Sequence, residues 1–112
     1  MSDAVALYDE ADQLKNEGKL EEAALKFKES IEIDPEYALP HSALAVVLQK
    51  LGQHDQAIVH AQQVCELQPD DPFSYTAMSV TYQRANAGTN NMEYIRLAEE
   101  AMEKSRMLQT GS

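Results

Sequence analysis

The chain has 112 residues, 19 of them acidic and 9 basic, for a formal net charge of −10. That length suits one domain, and so acidic a surface excludes a phosphate backbone or an anionic membrane face as partner and favours a basic or neutral one. The single cysteine, Cys65, has no second thiol for a disulfide, which points to a reducing, cytoplasmic setting; the stretch from Met1-Ser2-Asp3 shows no basic n-region or apolar h-region, so no leader is expected, and no apolar run approaches the roughly 20 residues a bilayer span needs.

Asp3 is an N-cap signal for a first helix running to about Glu17, with Val5, Leu7, Ala11 and Leu14 as its apolar stripe. Gly18 permits a tight turn. A second helix is expected from about Leu20 to Ile33, stopped by Pro35, which disfavours helix in the residue before it. A third runs from about Tyr37 to Leu51 and tolerates Pro40 in its first turn. Gly52 turns the chain again, and a fourth helix spans about His54 to Leu67, stopping before Pro69. Asp71-Pro72 joins an N-cap to a proline at the first helical position and starts a fifth helix, through Phe73, Tyr75, Met78 and Tyr82 to about Arg84. The stretch 85–90, rich in Gly, Asn and Ala, reads as a turn, and Asn90 with Glu93 reads as the capping box of a sixth helix.

Two segments match at an offset of 34: Ala11 with Ala45, Leu14 with Leu48, Gly18 with Gly52, Ala23 with Ala57, Ile31 with Cys65, Pro35 with Pro69. If Ala98 is the counterpart of Ala57, the offset has grown to 41, so about seven residues are inserted, as a longer turn, a longer last helix, or both. This period and its small and apolar positions resemble the tetratricopeptide repeat. The resemblance implies an all-α solenoid of antiparallel helix–turn–helix pairs: one domain over 1–112, with repeats at about 3–37, 38–71 and 72–108. It implies small residues where helices cross, here Ala11, Ala23, Ala45, Ala57, Ser79 and Ala98. It also implies a protein-binding scaffold rather than an enzyme.

In that family ligands lie along the inner surface made by the first helix of each repeat. The transferred positions are Val5, Tyr8, Asp9 and Asp12, then Leu39, Ala43, Val46 and Gln49, then Phe73, Ala77, Val80 and Arg84. The family's carboxylate clamp of Lys, Asn and Arg falls on Tyr8, Asp12, Ala43, Phe73 and Ala77 here, so no clamp is expected. The face is acidic at one end, apolar in the middle and mildly basic at the other, where Lys50 and Arg84 fall, which suits a protein segment with basic and apolar residues, such as an amphipathic helix.

His54, His60 and Cys65 share one expected helix, but a spacing of six sets the two histidines on opposite sides, with His60 outward. Cys65, in the position of Ile31, reads as a small buried hydrophobe. No metal, cofactor or catalytic site is expected. Met92, Ile95, Leu97 and Met107 crowd the last helix beyond what one internal face absorbs, which makes a weak homodimer through that helix the structural alternative to an adaptor. An accessory subunit of an enzyme complex would look the same.

Overall fold

The computed structural model describes residues 3–111. Six helices, α1 (Asp3–Asn16), α2 (Leu20–Ile33), α3 (Ala38–Lys50), α4 (His54–Leu67), α5 (Pro72–Thr89) and α6 (Glu93–Thr110), account for 83% of the described residues, with no strand among them. α1 and α3 end in the same way. Gly18 and Gly52 take φ near +80°, the Gly N–H groups bond Lys15 O and Gln49 O, and the next N–H groups reach back to Leu14 O and Leu48 O. This reciprocal closure satisfies carbonyls that the helix leaves free, and only glycine takes the left-handed backbone there without strain. α5 starts as its sequence demands: the Asp71 carboxylate accepts from Phe73 N at 3.0 Å, and Pro72 lacks the N–H that would have gone unpaired.

Each helix packs on its sequence neighbours, and α3 also touches α1 and α5. α2, α4 and α6 do not pack backbone to backbone on one another among the described residues; α4 and α6 meet through the Tyr94 hydroxyl, which donates to Asp55 at 3.1 Å. The stack therefore curves, with α1, α3 and α5 crowded on the concave side and α2, α4 and α6 splayed on the convex side. The crossings are narrow because their residues are small: Ala11, Ala23, Ala45, Ala57, Ser79 and Ala98 are all buried. One core gathers around Phe27 with Leu44, Val47 and Leu48; a second joins Ile58, Tyr82, Ala85 and Ala98.

Most of the insertion lies elsewhere than expected, and only part of it lengthens the last helix. α5 does not stop at Arg84 but runs on to Thr89, and the three-residue turn 90–92 is as short as the turn 51–53. Five of the seven extra residues lengthen α5 and two lengthen the front of α6. Packing is the reason: Ala85 is fully buried in the second core, and Gly88 lies so close to the His54 ring that a Cβ there would stand 2.3 Å from His54 Nε2. A helix continues while its face finds cover, and α4 supplies it. The cap also shifts by one residue. Asn91, not Asn90, accepts from Glu93 N, at 3.1 Å, while Asn90 closes α5 in the left-handed conformation.

The histidines differ from expectation as well. His60 is not outward: it is half-buried, and its Nδ1 lies 3.1 Å from Nδ1 of the buried His41. His41 Nε2 stands 3.1 Å from Pro35 O, which can only accept. In the neutral pair His41 therefore carries its proton on Nε2, and its Nδ1 accepts from His60 Nδ1–H. Burial first, then His41 and Lys28, push the His60 imidazole down to about 4.

Candidate functional site: the cleft between α3 and α5

On the concave side α3 and α5 run alongside each other with α4 beneath them, enclosing a cleft of about 670 Å³. The 34-residue offset sets its walls in matched pairs. Leu39 faces the same way as Phe73, Val46 as Val80, and Lys50 as Arg84. Four of these are apolar and open to water, at 52% (Leu39), 73% (Phe73), 42% (Val46) and 38% (Val80). Ala45, Ala61 and Val64 form a buried apolar floor, and the Gln49 amide donates to Thr81 Oγ1 at 3.0 Å, tying α3 to α5. A smaller hollow bordered by Leu39, Phe73 and Asp71 adjoins the cleft and shares Ser42, Val64, Ser74 and Ala77 with it. Together they form one trough from the Leu39–Phe73 end to the Lys50–Arg84 end.

Of the residues expected on the inner face, Val46, Gln49, Ala77, Val80 and Arg84 line this cleft, and Leu39 and Phe73 line its extension. Ala43 packs against the first core. The α1 residues lie apart from the cleft. Val5 is half-buried. Tyr8 packs its ring on Phe27 and Tyr37, at centroid separations of 5.6 and 5.8 Å. Burial first, then Asp12, Tyr37 and Asp9, raise its phenol pKa. Asp12 is ion-paired to Lys15 at 3.1 Å, and Asp9 is exposed. The cleft also takes in residues that spacing did not single out, His54, Ala87 and Gly88 among them. Their signal was the unequal offset, which lengthens α5 over α4.

On α6, Met92, Ile95 and Met107 are exposed, whereas Leu97 turns inward and packs on the second core. Ile95 and Met102 border a shallow groove of about 500 Å³ together with Glu99 and Arg106.

The Cys65 thiol is buried, lies 3.5 Å from Ser74 O and 3.8 Å from Met78 Sδ, and is pushed up to about 11 by burial, then by Asp71 and Glu66. It stays protonated and unreactive at neutral pH. Among the described residues no three His, Cys, Asp or Glu side chains gather as a metal site requires, and no helix is long and apolar enough to cross a membrane.

A family model described as TPR repeat matches residues 11–52, and one described as tetratricopeptide repeat matches residues 41–71. No curated protein matches the sequence significantly. Among solved structures, a crystal structure of MamA matches with a TM-score of 0.82 at 18% identity, over 96% of this chain and 59% of that one. A CopN-Scc3 complex matches at 0.79 and 20%, over 95% of this chain and 58% of its counterpart. The second TPR of Spaghetti (RPAP3), bound to the HSP90 peptide SRMEEVD, matches at 0.74 and 19%, over 94% and 91%. The chain thus spans less than two thirds of the MamA and CopN-Scc3 chains it resembles.

Proposed function

We propose that this chain, which belongs to the tetratricopeptide repeat family, is an adaptor that holds a segment of another protein in the trough between α3 and α5. Repeats of this family are in general protein-interaction modules rather than catalysts. The observation that carries the reading is the exposed row of Leu39, Val46, Phe73 and Val80 set along a concave cleft. An apolar concavity of this size gains free energy when a ligand takes it out of water. Of the similar structures, one holds a bound peptide and another is a complex of two proteins. The face of an amphipathic helix fits the trough, and basic residues of the segment that extend beyond it would meet the exposed Asp9 on α1. The cytoplasm is the compartment that suits an unpaired thiol such as Cys65.

The test is a pull-down with the wild-type chain and a Val46→Asp, Val80→Asp variant as baits, each verified as helical by circular dichroism. Proteins held by the wild type and released by the variant support the reading. Identical sets on both baits overturn it.

Self-association through α6 is the second reading, and the exposure of Met92, Ile95 and Met107 favours it. Two charges oppose it. At the 41-residue offset Glu99 replaces Ile58 and Arg106 replaces Cys65, the two positions that α4 buries against α5. Sedimentation equilibrium over a range of concentrations decides, with Ile95→Glu as the control that should abolish any dimer.

A further inference from the structure

The nine cations of this chain are mostly neutralised. Lys15, Lys19, Lys26, Arg96 and Arg106 are ion-paired, and Lys104 lies over the Tyr75 ring. Lys28, Lys50 and Arg84 are left, and among the described residues none of the three has a carboxylate partner. Two of these three, Lys50 and Arg84, line the same cleft. The cleft lining contains no Asp or Glu, in a chain with 19 of them. The sign of the local field is therefore opposite to that of the whole molecule, and at contact range the local field governs because distant charges are screened.

Arg84 is not there to complement a helix terminus, because α5 continues to Thr89. Ala87 and Gly88, three and four residues on, occupy the same flank of α5 and leave the guanidinium open toward the cleft.

Resting on the groove reading above, we propose that Lys50 and Arg84 receive a side-chain carboxylate of the bound segment, an Asp or Glu one helical turn from the apolar residue that sits between Val46 and Val80. The spacing follows from the walls: Val46 to Lys50 and Val80 to Arg84 are each four residues, about 6 Å along a helix. A helical ligand repeats that distance between positions i and i+4. Arginine offers a planar two-donor fork to such a group, and lysine adds a point charge.

The experiment selects a displayed library of random peptides, flanked at both ends so that no terminal carboxylate is free, against the full chain at low salt. Enriched peptides are expected to pair an apolar residue with Asp or Glu four positions away. Changing that acid to its amide weakens binding about tenfold on the wild-type chain and leaves it unchanged on a Lys50→Gln, Arg84→Gln variant. Enriched peptides that lose binding to the Val46→Asp, Val80→Asp protein but ignore both the acid and the Lys50–Arg84 pair overturn the carboxylate assignment and leave the groove reading standing. If no peptide is enriched over that Val46→Asp, Val80→Asp control, the groove reading falls and this inference with it.

Discussion

Around Phe27 the molecule packs mainly hydrocarbon on hydrocarbon, with the buried Ser30 hydroxyl donating to Ala4 O at 2.7 Å. Phe27, Leu44, Val47 and Leu48 fill the space between small crossings at Ala11, Ala23 and Ala57, and all are fully or almost fully buried. Between α5 and α6 the same geometry is filled differently. Ser79 and Ser105 are buried polar residues; Ser79 Oγ donates to Ala98 O at 2.9 Å, and Thr76 and Ser105 share a hydrogen bond of 2.7 Å. The bulk comes from Tyr82 and Tyr94, stacked 5.9 Å apart, with the Tyr82 hydroxyl accepting from Gln62. What the repeat requires is a small residue wherever backbones approach. Volume elsewhere can come from either helix, and hydrogen bonds can replace part of it.

Phe27→Ala should break this contrast most visibly. It empties the centre of the apolar core and should cost about 3–5 kcal/mol in urea unfolding, whereas Ser79→Ala in the polar half should cost about 1 kcal/mol. Equal losses would refute a difference in construction between the halves. Ala57→Leu overpacks the crossing of α3 and α4 and should cost about 1–3 kcal/mol; a change near zero would mean that the crossing is not tight.

His60 sharpens the comparison through pH. Its pKa in the folded chain is lowered to about 4, from 6.5, so between these values the unfolded chain binds the proton more readily. Stability should be greatest above pH 6.5 and fall as pH drops toward 4, with this loss complete below it. Because the ring is only partly shielded, the contribution is about 1 kcal/mol. His60→Gln keeps a donor for His41 but does not titrate, and the difference in slope between it and the wild type isolates the effect. Parallel pH profiles would assign the acid sensitivity to other groups.

The smallest effect belongs to the added turn of α5. Gly88→Ala gains helix propensity but drives a methyl group into the His54 ring. In a His54→Ala background the substitution should stabilise by about 0.8–1 kcal/mol, and with His54 present most of that gain should vanish. The same gain in both backgrounds would show that Gly88 and His54 do not constrain each other.

The number of helices, their turns at Gly18 and Gly52, the start at Asp71-Pro72 and the small crossing residues were legible from the chain because each depends on local backbone chemistry or on a repeated spacing. The path of residues 85–90 was not. Gly and Asn favour a turn there, and the cover that neighbouring helices give to Ala85 and Gly88 keeps the segment helical. The partnership of His41 with His60 was hidden for the same reason, since it joins two helices across a crossing. The inner-face positions of α3 and α5 could be listed from the repeat, but their enclosure over α4 could not, because walls from three helices define a cavity. Composition gives the net charge of −10, while the sign of the field inside the cleft depends on which side chains stand within a few ångströms of one another. That is a property of packing: the fold sets Lys50 and Arg84 in the wall of one cleft and leaves every carboxylate out of it.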